Sequence, residues 1–277
     1  MKLGTNDISS VYLGTNAVSK VYLGSTEVWS AVDPDYQAIL DYATTQGYTL
    51  PSASQQTLQN QLVVDLKTAG IWNKLDTFGV FATDGDSDFA LIDWIRLTDY
   101  TAVNSPTFTT NVGFQGDGTS SYIESNYLPI TNAINISQDS NSYGYVMSQY
   151  DTSPSSAEQH WGNAINTSLQ SFWASRSVRN TYHNATDIIL NDNKLFTTNV
   201  LLHMDRTDSN TVYDIVDGVV NNSFSSTSAP ILDQEFIAMK YQGTYSDVEL
   251  QIVFVGASTY NERVDFNDIL KNYLSNI

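Results

Sequence analysis

One short run of the sequence alternates carboxylates in a way that could bind a metal ion: Asp84-Gly85-Asp86-Ser87-Asp88. Calcium takes about six to eight oxygen ligands, and an aspartate-rich loop supplies several of them. The run departs from the helix–loop–helix calcium pattern, because Phe89 stands where that pattern needs glycine and Ile95 where it needs glutamate. Two interpretations remain, a calcium site made by the three aspartates or an aspartate-rich turn without an ion, and the composition favours the turn. Calcium is the only cofactor that we consider.

The carboxylates do not show the pattern of a sugar hydrolase. Such enzymes act through two carboxylates that flank the scissile bond, and on one strand these would alternate so as to share a face. Asp247 and Glu249 alternate, but they stand at the start of a strongly apolar strand, where a solvated strand entry is the simpler interpretation. The three histidines, His160, His183 and His203, are far apart and offer no ligand pair. We predict no catalytic residue and no enzyme activity.

Aromatic side chains suited to sugar contact fall in the loop-rich segment from residue 151 to 184. Trp161, Trp173 and Tyr182, together with Arg176, would supply ring platforms and hydrogen bonds to a carbohydrate. Large aromatic residues also dominate cores and interfaces, and their type favours that packing role. These four residues are the predicted ligand-binding residues.

Composition limits the partners of any such site. Acidic residues outnumber basic ones by 30 to 12, which gives a formal net charge of -18 at pH 7. Nucleic acids and anionic membrane surfaces are bound through lysine and arginine that replace counterions, so we expect neither as a partner. The sequence lacks the run of roughly 18 apolar residues that a membrane-spanning helix needs, and it contains no cysteine.

Helix signals cluster before residue 75. The pair Asp33-Pro34 predicts an N-cap with proline in the first turn, and Gly47 predicts the end of that helix. Ser52 and Gln55 form a capping box for a second helix, which continues to Gly70. These signals predict a short helical segment.

From about residue 80 the pattern changes to short apolar strands separated by serine, asparagine, aspartate and glycine. Asp217-Gly218 lies between two alternating runs and favours a hairpin with a type I′ turn. Near the end, Thr259 and Glu262 predict a capping box for a C-terminal helix. The fold class is therefore mainly β, a β-sandwich or jelly roll preceded by the helical segment and followed by one helix.

Three near-identical units of about ten residues open the chain, each with Leu-Gly-Thr or Leu-Gly-Ser at its turn. A repeat this short cannot bury its own apolar side chains, so it must stack on its copies or on another protein. We expect the segment to form two or three small strands and to dock. The predicted docking residues are its large apolar side chains: Tyr12, Leu13, Tyr22, Leu23, Val28 and Trp29.

Two stretches, Gly70–Asp76 followed by Val80–Ala82, and Asn111–Ile123, resemble sequences of phage and prophage structural proteins. In those proteins the pattern leads into a concanavalin A-like lectin/glucanase (laminin G-like) jelly roll. The ending Val253–Ser258 with its following helix is similar to the end of such domains. The opening repeats look like the Tyr-Leu-Gly-Ser/Thr repeats of tailed-phage tail and fibre proteins.

The resemblance implies a virion surface protein of the head or the tail, docked on other virion proteins. We predict a docking and oligomerisation segment over residues 1–31, a helical connector packed on the sandwich over 32–79, and a concanavalin A-like sandwich over 80–277. A homo-oligomer, with a trimer favoured, would give the repeats copies to stack on. The predicted function is a fibre or decoration protein whose lectin-like domain adheres to cell-surface carbohydrate. The alternatives are a virion-bound glycan-cleaving enzyme and a structural spacer without a ligand.

Overall fold

Short β-strands form most of the ordered elements of the chain. The computed structural model describes residues 2–3, 6–7, 11–18, 20–24, 26–149, 159–163, 171–173, 179–182, 190–192, 199–241 and 243–277. The strands before the main body are β1 (Lys2–Leu3), β2 (Asn6–Asp7), β3 (Val11–Leu13), β4 (Asn16–Val18), β5 (Lys20–Leu23) and β6 (Thr26–Ser30). The strands of its first half are β7 (Leu75–Val80), β8 (Ile92–Asp93), β9 (Thr98–Asp99), β10 (Thr101–Val103), β11 (Thr107–Thr109), β12 (Gly113–Gln115), β13 (Tyr122–Glu124) and β14 (Asn141–Gln149).

The remaining strands and the helices complete the described elements. The strands are β15 (Gln159–Gly162), β16 (Ser171–Trp173), β17 (Arg179–Tyr182), β18 (Leu190–Asp192), β19 (Val200–Arg206), β20 (Thr211–Val216), β21 (Val219–Ser225), β22 (Ile237–Ala238), β23 (Lys240–Tyr241), β24 (Thr244–Tyr245) and β25 (Glu249–Gly256). The α-helices are α1 (Pro34–Gln46), α2 (Ala53–Thr68), α3 (Ser87–Ala90) and α4 (Arg263–Leu274), and short 3-10 turns lie at Trp72–Lys74 and Tyr260–Glu262.

Two antiparallel sheets pack face to face. The larger sheet has the order β21-β20-β19-β14-β25-β7-β8-β9, with β12 also paired to β25 and β11 paired to β12. The smaller sheet has the order β10-β13-β22-β15-β16-β17-β18. One core cluster joins side chains of both sheets, among them Trp161 of the smaller sheet and Tyr145 of the larger. The predicted mainly β sandwich is confirmed.

The larger sheet buries both of its faces. On β25, Val253 and Val255 pack between the sheets, whereas Ile252 and Phe254 pack beneath the helices. Successive side chains of a strand point to opposite faces. The sequence of a strand that is covered on both faces is therefore a continuous run of apolar residues, as in Ile252–Val255.

The helices α1, α2 and α4 cover the outer face of this sheet and enclose a second core. A buried chain of hydrogen bonds ties them together: Tyr36 Oη donates to Gln59 Oε1 at 2.7 Å, and Gln59 Nε2 donates to Tyr273 Oη at 3.2 Å. Tyr273 Oη in turn donates to the carbonyl of Ala82 at 2.7 Å, which links the helices to the end of β7. The boundary predicted after residue 79 falls inside β7, and the side chains of β7 share the second core with the helices.

The predicted signals for the first two helices agree with the structure in most respects. The side chain of Asp33 caps α1, and Gly47 ends it in the left-handed region with a φ of 83°. Ser52 Oγ accepts from the Gln55 amide at 3.3 Å, as a capping box requires. The box also requires the Ser52 amide to donate to the Gln55 side chain, and this part of the prediction is wrong. Gln55 Oε1 accepts from the Asp84 amide at 2.7 Å instead, and the Ser52 N–H donates to Asp84 Oδ1 at 2.9 Å.

The capping box predicted at Thr259 and Glu262 is also wrong. Thr259 Oγ1 lies 3.2 Å from Nε2 of the buried His203, and Glu262 Oε2 pairs with Lys74 Nζ at 2.6 Å. Both side chains bind partners that are distant in sequence. A 3-10 turn therefore precedes α4 in place of a capping box. A buried ring nitrogen needs a hydrogen-bond partner more than an exposed helix end does.

The hairpin of β20 and β21 turns where the sequence predicts. Asp217 has a φ of 48° and Gly218 a φ of 75°, the two positive values that a type I′ turn requires. Gly218 also packs closely on α4, since a Cβ added there would lie 3.0 Å from Asn267 Cβ. The prediction of the turn is confirmed.

Asp117 organises the loop between β12 and β13. Its Oδ1 accepts from the amides of Thr119, Ser120 and Ser121 at 2.9, 2.7 and 2.8 Å. Desolvation by burial acts to raise the pKa of this carboxyl, but the hydrogen bonds hold it well below its usual value of 3.8. The charged carboxylate therefore stabilises the loop.

Replacing this carboxylate, D117N, is expected to lower the free energy of unfolding at pH 7 by on the order of 1 kcal/mol, since hydrogen bonds to a partly exposed charge are screened by water. A carboxyl whose folded pKa is depressed stabilises the protein above the unfolded pKa and loses that contribution below it. The difference between wild type and variant should narrow as the pH falls below 3.8. Urea unfolding across that range measures it, and a pH-independent difference would contradict the assignment.

Candidate functional site

The opening repeats fold as three separate β-hairpins. β1 pairs with β2, β3 with β4, and β5 with β6, and each pair is its own two-stranded sheet. This makes six short strands rather than the two or three predicted. Gly14 and Gly24 turn the second and third hairpins with φ values of 67° and 65°. We call the described parts of residues 2–30 the hairpin arm.

The hairpin arm exposes large apolar side chains. The exposed fractions are 62% for Tyr12, 78% for Leu13 and 77% for Leu23. Exposed apolar surface of this kind is expected to be covered by a partner, and a lone two-stranded hairpin is at best marginally stable in water. The side chains of the other predicted docking residues, Tyr22, Val28 and Trp29, lie outside the described set.

The hairpin arm leaves the body at a fixed point on α2. Asn60 Oδ1 accepts from the Asp33 amide at 2.7 Å, and Asn60 Nδ2 donates to the Ala31 carbonyl at 3.4 Å. Lys67 forms ion pairs with Asp33 and with Asp35, the latter at 2.7 Å. The last residues before α1 are therefore anchored to the body.

Two glutamates lie side by side on the outer face of the smaller sheet. Glu124 ends β13, and the pairing of Glu124 with Ile237 places Glu235, two residues earlier, on the same face. Burial raises the pKa of Glu235 and the charge of Glu124 raises it further, against the hydrogen bond from the Asn126 amide, which lowers it. A carboxyl with a raised pKa beside a second carboxylate is a feature that general acids share with structural clusters of charged groups.

The aromatic surface next to these glutamates is covered by the chain itself. Lys240 Nζ lies 3.6 Å from the ring centroid of Tyr122, and the Tyr245 ring lies 6.2 Å from the same ring. A sugar stacking on Tyr122 would have to displace this cation, whose attraction to the ring is worth about 0.5–1 kcal/mol at an exposed site. Sequence reasoning missed this cluster because its members meet only through strand register.

The predicted calcium ligands serve other purposes. Asp84 Oδ1 accepts from the Ser52 amide, and Asp86 caps α3 by accepting from the Phe89 amide at 2.8 Å. Asp88 is exposed. Throughout the described ranges, no three acidic or histidine side chains are arranged to hold a metal ion. The carboxylates of Asp84 and Asp86 are thus already bound to backbone amides, and the calcium interpretation of Asp84, Asp86 and Asp88 stays a prediction.

Trp161 is a core residue and offers no face to a ligand. Its exposed fraction is 0%, and its indole N–H donates to the Phe254 carbonyl at 3.2 Å. The packing role is therefore the observed one, because β15 lies inside the smaller sheet between β22 and β16. Arg176 lies outside the described residues. Trp173 and Tyr182 lie on β16 and β17, and their side chains also fall outside that set.

Comparison with known proteins shows the fold. No protein-family model matches the chain, and a search of curated proteins finds no match either. Among solved structures, the chain is similar to a mutant of Trypanosoma rangeli sialidase displaying trans-sialidase activity, with 12% identity, a TM-score of 0.51, and coverage of 80% of this chain and 40% of that chain. Trypanosoma rangeli sialidase itself gives 10% identity, a TM-score of 0.50, and the same coverage of 80% and 40%.

A mutant of HCR/D gives 8% identity and a TM-score of 0.51, with 73% of this chain and 53% of that chain covered. The chain thus spans about two fifths of the sialidase chains and about half of the HCR/D chain. What these proteins share is the fold. Separately, none of the helices in the described part of the chain is long and apolar enough to cross a membrane.

Proposed function

We propose that this protein is a structural component of a phage virion, a surface fibre or decoration protein that docks through its hairpin arm and displays its sandwich. One observation carries the proposal: the short hairpin arm exposes Tyr12, Leu13 and Leu23, whereas the body buries most of its large apolar side chains in two cores. An arm of this kind is completed by other chains. We propose copies of the same arm in a homo-oligomer, a trimer by preference, seated on another virion protein.

The sandwich is the displayed part, and we propose that it adheres to carbohydrate on the host surface without cleaving it. Its lectin-like fold, its scarcity of charged residues at 15% of the chain and its many hydroxyl and amide side chains support this role. The net charge of -18 opposes nucleic acid and anionic membrane surfaces as alternatives.

Antibodies raised against the sandwich test the proposed location by immunogold electron microscopy of purified intact particles. We expect labelling of intact particles, at the head or at the tail, with no need to disrupt them. Protein found only in the lysate, with unlabelled particles, would overturn the proposal.

Glycan cleavage is a second candidate function, favoured by the neighbouring Glu124 and Glu235. Host-surface polysaccharide incubated with the purified protein tests it through the release of new reducing ends. The matched variants are E235Q and E249Q, since Glu249 is a carboxylate on the larger sheet whose Oε2 accepts from Ser148 Oγ. We expect no release from any form. If the unmodified protein and E249Q release reducing ends and E235Q does not, the protein is a glycan-cleaving enzyme instead.

A further inference from the structure

A cavity of about 250 Å³ opens between α1 and the sandwich, close to the point where the hairpin arm leaves the body. Trp72 and Trp94 form part of its wall, and Ile134, which is 74% exposed, stands at its mouth. The polar residues that line it are Asp35, Asn73 and Asn135. The cavity is separate from the glutamates on the smaller sheet.

The walls of the cavity are already in place. Trp72 and Trp94 both pack edge-on against Phe78, with ring centroids 6.2 and 6.0 Å apart. The loop at the mouth is held by Asp76, which accepts from the amides of Asn135 and Ile136 at 2.7 and 2.9 Å. A preformed wall of this kind loses little freedom when a ligand binds.

The polar groups of the lining have open hydrogen-bonding capacity. Trp94 is 2% exposed, and its indole N–H finds no acceptor among the described residues. Asn135 Nδ2 donates to the Leu75 carbonyl at 3.0 Å, which leaves its Oδ1 to accept. Asp35 Oδ2 pairs with Lys67, and Asp35 Oδ1 is left to accept a hydrogen bond. Asp35 and Asn135 therefore offer two acceptors, whereas the indole nitrogen of Trp94 lies closed off from solvent.

We infer that this cavity binds a single neutral saccharide unit. A ligand here needs donors for Asp35 and Asn135, and the hydroxyl groups of a sugar supply them. Its carbon face would lie against Trp72 and Ile134, and a cavity of about 250 Å³ has room for one pyranose ring. An anionic sugar is opposed by Asp35 and by the net charge of -18. The inference rests on the adhesive half of the proposed function, for which it names the site and the sugar class.

The test is titration of the purified full-length chain with methyl glycosides of neutral hexoses and with a sialylated oligosaccharide, followed by calorimetry or ligand-observed NMR. The variant A38W fills the cavity from the α1 side, and A53W, on an exposed position of α2, is its matched control. We expect binding of at least one neutral glycoside, weakened tenfold or more by A38W and unchanged by A53W. The sialylated ligand should bind less well than the neutral one.

Each other outcome has a distinct meaning. Neutral glycoside binding that A38W leaves intact would overturn this site while the adhesive function stands. A preference for the sialylated ligand would overturn the proposed sugar class. Binding of no glycan by the unmodified protein would overturn both the site and the proposed adhesion. A38W that changes the oligomeric mass and leaves sugar binding intact would reassign the cavity to protein docking.

Discussion

Replacing two exposed leucines of the hairpin arm by serine, L13S together with L23S, is expected to dissociate the proposed homo-oligomer into single chains. Their exposed fractions of 78% and 77% mean that neither contributes to the fold of the isolated chain. Burying a leucine at an interface is worth roughly 1.5–3 kcal/mol, and a trimer would lose two leucines from each of its chains. Light scattering coupled to size exclusion should show the mass fall from about three chains to one.

The body should remain folded in this variant, because Leu13 and Leu23 belong to neither of its two cores. V219S is the matched control, since Val219 is 68% exposed on the β20–β21 hairpin, outside the arm. We expect V219S to keep the wild-type mass. An unchanged mass in the arm variant, or an equal loss in V219S, would contradict the role of the arm.

The variant F254A is expected to lower the free energy of unfolding by about 3–5 kcal/mol. Phe254 is 0% exposed on β25, and its ring centroid lies 4.7 Å from that of Phe266 on α4 and 5.3 Å from that of His203 on β19. Its removal would leave a cavity between the sheet and the helices. Because both layers share this core, they should unfold in a single transition in wild type and variant alike.

Urea unfolding followed both by tryptophan fluorescence and by far-ultraviolet circular dichroism measures the effect. F224A is the control, because Phe224 is only partly buried on the edge strand β21 and should lose less stability. Helices that unfold at a lower urea concentration than the sandwich would show that residues 32–79 form a separate unit, against the shared core described above.

Local signals in the sequence predict the features whose partners are also local. Asp33 and Gly47 bound α1, and Asp217 with Gly218 turns its hairpin, because each of these needs only neighbouring backbone. The continuous apolar run of β25 likewise reports a strand buried on both faces. The order of short strands and turns is sufficient to indicate a sandwich.

Features that depend on distant partners could not be predicted in this way. Glu262 forms an ion pair with Lys74 rather than a capping box. Gln55 Nε2 donates to Tyr273 Oη at 3.0 Å. Trp161 has the residue type of a sugar platform, but its place in the sheet decides that it is buried. Each of these outcomes follows from tertiary contacts that residue spacing does not encode.

The positions of the candidate sites also depend on distant partners. Glu124 and Glu235 meet because β13 and β22 pair in one particular register, and the saccharide cavity forms because α1 packs beside the loop that carries Ile134. The hairpin arm is different, since its repeats cannot bury their own leucines whatever the rest of the chain does. The exposure of these leucines was therefore predictable from the sequence, whereas the position of a candidate ligand site was not.

The most direct test of the account is incorporation into the virion of a chain that lacks residues 1–30. Particles are produced with the full chain or with the shortened chain as the sole source of the protein, purified, and assayed by quantitative immunoblot. Retaining Ala31 preserves the contact with Asn60, so the shortened body should stay folded in solution. We predict that the full chain is present in particles and that the shortened chain is soluble but absent from them. Incorporation of the shortened chain at the level of the full chain would contradict the claim that the hairpin arm is the anchor.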